Sequence, residues 1–179
     1  MRNDQFFQTE DGRRRLLDEQ QHLQAGREAA TLRRIEYRSS TKISDEEGDS
    51  PELAALDQEV AVATGRLHII SQIFSLARPQ TAPRPTTTDH VQIDHIVTIQ
   101  RIGNDSCKRR FLLGGHGEEN DTLDPPVISY TTLIGKAVLK KEVGDTFRIT
   151  LPGTETVEYV ILKIELRPQR PSLMAANAA

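Results

Sequence analysis

The stretch Gly48-Asp49-Ser50-Pro51-Glu52 sets two carboxylates three residues apart, and Asp45, Glu46 and Glu47 add acid just upstream. Carboxylate oxygens are hard ligands suited to Mg²⁺. Acid gathered where one helical pattern ends and another begins can deliver charge to a distant site. The same residues also describe a solvated turn. Ser50 can cap the following helix, Pro51 fits its first position, where a missing N–H costs nothing, and Glu52 suits its first turn. On these residues alone both readings stand.

Long helices must position this stretch. Thr9 is a candidate N-cap, with Glu10 and Asp11 in the first turn. Leu16, Leu23, Ala30 and Tyr37 recur every seven residues, with Leu32 and Ile35 off that register. The second pattern is cleaner: Leu53, Leu56, Val60, Ala63, Leu67, Ile70, Phe74 and Ala77 follow a 3-4-3-4 spacing, a coiled-coil seam. Two such helices joined by a short polar segment make an antiparallel hairpin, each arm reaching roughly 40 Å at ~1.5 Å per residue.

Composition excludes several classes. Across 179 residues the net charge is −3 and aromatics make up 4%, so bulk charge does not drive nucleic-acid binding. A single cysteine, Cys107, rules out an internal disulfide framework and a Cys-rich zinc site. No apolar run spans a membrane, and the polar start has no signal-peptide pattern, so the chain reads as cytoplasmic without a membrane partner; it is expected to be a monomer.

The chain divides at residues 79–90, where three prolines and a threonine run favour extended backbone. The expected organisation is a helical hairpin over 1–78 with an acidic tip near 44–52, this linker, a β-rich domain over 91–166, and a disordered tail over 167–179. Within the β-rich part, strands are expected over 95–102, 107–113, 146–151 and 156–166. Residues 132–141 are read as a short helix with Leu133, Ile134, Ala137 and Val138 inward, and residues 114–124 as an exposed loop. Gly103-Asn104-Asp105, Val143-Gly144-Asp145 and Pro152-Gly153 carry turn chemistry. In the last strand Val157, Tyr159, Ile161 and Lys163 alternate with Val160, Leu162 and Ile164, which reads as a strand covered on both faces.

From Thr9 to Leu166 this combination resembles the bacterial Gre transcript cleavage factors. Thr9-Glu10-Asp11-Gly12 with Leu16 resembles the family's Thr-x-Glu-Gly-x-x-x-Leu opening. Gly48-Asp49-Ser50-Pro51-Glu52 is similar to its Gly-Asp-x-Ser-Glu, with Asp57 where an acid often follows. Gly135-Lys136-Ala137 through Val143-Gly144-Asp145 resembles its Gly-Lys/Arg-Ala…Gly-Asp segment, and Leu151-Pro152-Gly153 its Pro-Gly-Gly hairpin. The resemblance implies an α+β fold: an N-terminal antiparallel coiled coil followed by an FKBP-like β-sheet domain with a short helix. It implies an accessory factor rather than an enzyme. Its partner would be bacterial RNA polymerase, with the coiled coil threaded into the secondary channel toward the backtracked RNA 3′ end. By position Asp49 and Glu52 become the catalytic pair, holding a Mg²⁺ shared with the polymerase active site, so that the polymerase cuts its own RNA by two-metal hydrolysis.

The chain departs from the family pattern at informative places. Pro51 replaces the family's Ser, and Leu53-Ala54-Ala55-Leu56 replaces Asn-Ala-Glu-Tyr. In the short helix Leu133 takes a usual Pro position and Lys140 a usual Gly position, and the segment from Leu23 to Asp49 is longer than in typical members. An acid-rich tip can also hold Mg²⁺ unproductively, which leaves open a regulator that occupies the same channel without promoting cleavage. A peptidyl-prolyl isomerase, the third class, fits poorly, because residues 91–166 hold only Phe111, Phe147, Tyr130 and Tyr159 as aromatics.

The remaining features are weaker. Arg13, Arg14, Arg15, Arg27, Arg33, Arg34 and Arg38 form a basic stripe. It suits RNA phosphate or a channel wall, or else a solvated face paired with Glu28 and Glu36. The histidines at 22, 68, 90, 95 and 116 lack metal-ligand spacing. Lys108-Arg109-Arg110 reads as a solvated strand edge, and Gly114-Gly115-His116-Gly117 lacks the Lys-Ser/Thr of a phosphate loop.

Overall fold

The computed structural model describes residues 6–40, 50–76, 80–103, 107–150, 153 and 155–168. The chain falls into two compact units: one holds residues 10–80, and the other holds Phe7–Thr9 together with the chain from Thr81 onward.

The first unit is a helical hairpin. Helix α1 spans Glu10–Ser40 and α2 spans Pro51–Leu76. Pro51 takes the first helical position, and the Ser50 carbonyl accepts the first helical hydrogen bond from Ala54 N–H at 3.0 Å. The seam is the one the spacing predicts. Leu16, Ala30, Leu53, Ala63 and Ile70 are buried, while Leu32 and Ile35, off the register, are 67% and 59% exposed. Leu16, Ile70 and Ile73 form the apolar cluster, with Leu23 and Phe74 against it. The ion pairs Arg66–Glu19 (2.6 Å) and Arg33–Glu59 (3.0 Å) join the two helices, which run antiparallel.

Gly26 and Gly65 each lie inside one of these helices, and a Cβ at either would meet nothing within 4 Å. Helix-interior glycine costs about 1 kcal/mol relative to alanine, through backbone entropy. Gly26→Ala and Gly65→Ala are therefore expected to stabilise the hairpin by about 1 kcal/mol each, read as an upward shift in the urea midpoint.

Strands β1 (Phe7–Gln8) and β2 (Gln80–Thr81) form a two-stranded ribbon. The main sheet has five strands: β3 (His95–Arg101), β4 (Lys108–Gly114), β5 (Val127–Ser129), β6 (Thr146–Thr150) and β7 (Thr156–Leu166). Their order is β5-β4-β3-β7-β6, with β4–β5 parallel and the other pairs antiparallel. Helix α3 (Leu133–Val138) packs against this sheet. Val97, Ile99, Phe111, Leu113, Val138, Phe147, Ile149, Ile161 and Ile164 are part of the core, and the Phe147 and Tyr159 rings stack at 5.6 Å. The alternate residues Ile96 and Leu112, with Val127 and Leu123, make a smaller cluster.

Four expectations need correction. Strand β7 is not covered on both faces. The pairing shifts register between Thr98 and Ile99, so that Thr98 faces Lys163 while Ile99 faces Ile161, and Leu162 is the extra residue of a bulge. Ile161 and Ile164 therefore both enter the main core, and Leu162 is 37% exposed. Leu133 does not point inward but is 56% exposed. The helix begins at Leu133 because the Thr132 hydroxyl accepts from Gly135 N–H at 3.1 Å and donates to the Ser129 carbonyl at 2.8 Å. It stops short of Lys141, since Leu139 leaves helical geometry and Lys140 takes φ 65, the left-handed conformation that favours glycine.

The segment over 114–124 is not simply an exposed loop. Gly115 is buried and Glu118 is 4% exposed, because β1 lies against them. Glu118 accepts from Thr9 N–H at 2.5 Å through Oε1 and from the Thr9 hydroxyl at 2.7 Å through Oε2. The Phe7 carbonyl accepts from His116 N–H at 2.8 Å. A Cβ on Gly115 would sit 2.6 Å from Gln8 Cα and 2.7 Å from the Phe7 oxygen. The glycine run admits a backbone rather than a phosphate. Finally, β1 and β5 are strands that the periodicity did not announce. Two and three residues long, they are too short to show alternation.

Asp94 holds φ 76, and its carboxylate takes Arg167 at 3.0 Å and Arg84 at 3.6 Å, tying the approach to β3 to the exit from β7. His95 beside it is fully buried, and its Nδ1 accepts from Gln92 N–H at 3.0 Å. Burial lowers the imidazole pKa below the ordinary 6.5, outweighing a hydrogen bond to the Thr87 backbone and the Asp94 charge. Below about pH 6.5 the unfolded chain therefore takes up this proton first. The His95 contribution to stability is full above that pH and is lost as pH falls toward the folded-state value. The urea midpoint is expected to drop as pH is lowered from 7.5 to 5.5, and His95→Leu to flatten that slope while lowering stability throughout.

Candidate functional site at the hairpin end

Of the tip residues singled out above, Asp45, Glu46, Glu47, Gly48 and Asp49 lie outside the described residues. Glu52 lies within them. It is exposed in the first turn of α2, where unpaired backbone N–H groups favour an anion. Ser50 and Pro51 fix where that turn begins. The Ser50 hydroxyl meets the Tyr37 hydroxyl at 2.8 Å, which ties the end of α1 to the start of α2 just inside the tip.

Behind this tie the charges close on one another. Arg34 pairs with Asp57 at 2.8 Å and Arg33 with Glu59 at 3.0 Å. Asp57, the acid that follows the tip motif, thus serves the hairpin. Part of the basic stripe is taken up across the helices rather than along α1: Arg33 and Arg34 meet acids of α2, not Glu28 and Glu36. Arg14 pairs within its own helix with Glu10 at 3.2 Å. Arg27, Thr31, Leu32 and Arg34 of α1, with Val60 and Thr64 of α2, line an open groove of about 710 Å³.

The chemistry available at this end is that of a carboxylate presented on a stiff arm. The Glu52 oxygens suit one coordination position of a hard divalent cation. Among the described residues no group of three His, Cys, Asp or Glu converges on a common point. Leu53 is buried in the seam at 7% exposure, so it packs the hairpin and presents no polar group. No described helix is long and apolar enough to cross a membrane.

Sequence reasoning overlooked the Thr9–Glu118 clamp. The available signal was Phe6-Phe7 before Thr9, an apolar pair in an otherwise polar start.

Comparison with known proteins bears on both units. Residues 86–166 match the family described as transcription elongation factor, GreA/GreB, C-term. Over 163 residues the chain is 27% identical to transcription elongation factor GreA of Leuconostoc citreum (strain KM20), covering 89% of this chain and 96% of that protein. Among solved structures, Gfh1 of Thermus aquaticus is 21% identical with a TM-score of 0.40, over 90% of this chain and 98% of that one. GreA/GreB from Nitrosomonas europaea is 16% identical with a TM-score of 0.36, over 60% and 92%. Residues 86–166 of this chain are thus similar to the C-terminal domain of the GreA/GreB transcription elongation factors, and the chain as a whole is similar to a GreA factor.

Proposed function

We propose that this chain is an RNA polymerase accessory factor whose hairpin tip enters the secondary channel and stimulates Mg²⁺-dependent cleavage of backtracked RNA. The observation that carries the reading is Glu52. Its carboxylate stands exposed at the start of a long helix, three residues from Asp49, in a chain whose other domain matches the GreA/GreB C-terminal model. Asp49 and Glu52 would supply oxygen ligands to a Mg²⁺ shared with the polymerase, and that ion would stabilise the attacking and leaving oxygens. The factor's own residues position the carboxylates. The seam sets the reach of the arm, the Tyr37–Ser50 contact fixes its end, and the β-rich domain docks at the channel rim. The protein acts as a monomer.

A second reading is favoured by one observation. Leu53 is committed to the seam, so a position where Gre factors carry a polar residue cannot orient a water here. On this reading the tip occupies the channel and inhibits without promoting cleavage. Adding the purified protein to polymerase halted on a backtracked transcript separates the two. Shortened RNA supports the first reading, whereas slowed nucleotide addition with unshortened RNA supports the second. RNA cleavage by the factor without polymerase would contradict both.

A further inference from the structure

Helices α1 and α2 each carry one glycine deep in their length, Gly26 and Gly65. Both are exposed, and a Cβ at either would meet nothing within 4 Å. Glycines kept for close packing look different: at Gly115 and Gly135 an added Cβ would run into backbone. Packing therefore does not call for Gly26 or Gly65. What remains is their effect on the backbone, which glycine leaves freer and easier to bend than other residues do. The two also stand at one level. Arg33 meets Glu59 and Arg34 meets Asp57, and continuing that antiparallel register sets Gly26 roughly opposite Gly65. Gly26 is as many residues from Ser40, the end of α1, as Gly65 is from Pro51, the start of α2. That distance is roughly 20 Å at ~1.5 Å per residue.

The seam changes character at the same level. On the base side Leu16, Ile70 and Ile73 pack together with Leu23 and Phe74, and Arg66 pairs with Glu19. On the tip side the ties are polar: Arg33 with Glu59, Arg34 with Asp57, and Tyr37 with Ser50. There Arg27 and Arg34 stand half-buried at the places between Leu23, Ala30 and Tyr37 where a coiled-coil seam ordinarily carries apolar residues. The open groove of about 710 Å³ starts here too, since Arg27 and Thr64, the tipward neighbours of the two glycines, both line it. Each half of the hairpin is thus held across by its own contacts, and the glycines lie between the halves.

We infer that Gly26 and Gly65 form a paired hinge, at which the tip half of the hairpin bends as a unit relative to the base half. A single glycine opposite an uninterrupted helix would be braced by its neighbour. Two at one level leave neither arm to brace the other. Glu52 lies in the tip half and travels with it. The hinge belongs to the free protein and does not depend on the polymerase-binding reading. On that reading it gives the Glu52 carboxylate latitude to align with an ion held by the partner.

The test uses the full chain with Cys107→Ser and nitroxide labels on Arg13→Cys and Glu36→Cys, two exposed positions of α1 on either side of Gly26. Double electron–electron resonance reads the spread of distances between the labels. A broad spread is expected. Adding Gly26→Ala with Gly65→Ala is expected to narrow it by roughly half, since alanine stiffens both helices without a clash. Labels on Arg13→Cys and Gln24→Cys, both on the base side of Gly26, are expected to give a narrow spread with or without the alanines. Three results overturn the inference: a narrow Arg13–Glu36 spread in the glycine-containing chain, a broad one that the alanines leave unchanged, or an equally broad Arg13–Gln24 spread. Because the measurement contains no polymerase, failure of the functional reading is seen separately, in the transcript assay.

Discussion

Asp49→Asn or Glu52→Gln is expected to lower the rate of polymerase-dependent RNA shortening by on the order of 100-fold, while binding to polymerase changes little. Each substitution keeps shape and removes charge. Glu52 is exposed at the first turn of α2, so the hairpin should lose only the small helix-terminus contribution of its charge, about 0.3–1 kcal/mol. On the proposed reading the lost group would be an oxygen ligand to a cation, and its removal would mainly weaken ion affinity. Raising Mg²⁺ should therefore partly restore a single variant. Asp45→Asn and Glu46→Gln are expected to have small effects if those acids add field rather than coordination. The assay is the length of the transcript in a halted complex, with affinity measured separately. Two outcomes defeat the assignment: full activity in either variant, or loss of binding in step with activity. A wild type that leaves RNA intact and slows nucleotide addition, with relief on neutralising Asp45, Glu46 and Glu47, establishes the inhibitory reading instead.

Gly135→Ala is expected to destabilise the β-rich domain by about 3 kcal/mol. Gly135 is buried in α3, directly over the turn that follows β5. An added Cβ would collide with the Ser129 carbonyl oxygen and lie 2.6 Å from Tyr130 Cα. Both obstacles are backbone, so no rotamer change relieves them. The helix would have to lift from the sheet, pulling Val138 out of the core and breaking the Thr132 cap. A lowered urea midpoint with unchanged hairpin helicity is the expected signature. Lys136→Ala, exposed one residue on, serves as the control and should leave the midpoint within about 0.5 kcal/mol. A tolerated Gly135→Ala would show that α3 sits farther from the β5 turn than these contacts imply.

Much of the architecture is legible in the residues because it rests on local, periodic signals. The 3-4-3-4 spacing from Leu53 to Phe74 determines α2 and its buried side. Ser50-Pro51 determines where it starts, and the alternation around Val97, Phe111 and Ile149 determines strands and their inward faces. The order of motifs from Thr9 to Gly153 was enough to point to the Gre family, whose C-terminal model residues 86–166 match. The acidic tip is likewise a sequence feature, since its chemistry depends on which residues are adjacent.

Other features depend on partners distant in the chain, which no local pattern records. Thr9 reads as a helix cap and does stand just before α1, but its amide and hydroxyl also reach Glu118, 109 residues away, and that contact buries a loop expected to be exposed. Arg33 and Arg34 read as part of a free basic stripe, but the antiparallel arrangement brings Glu59 and Asp57 opposite them. Leu162 and Ile164 read as one face of a doubly covered strand. A single extra residue opposite Thr98–Ile99 reverses the alternation and sends Ile164 into the main core and Leu162 to solvent. In each case the sequence fixes the chemistry of the group, and only the tertiary structure, by closing a long loop or shifting a register, decides which partner it meets.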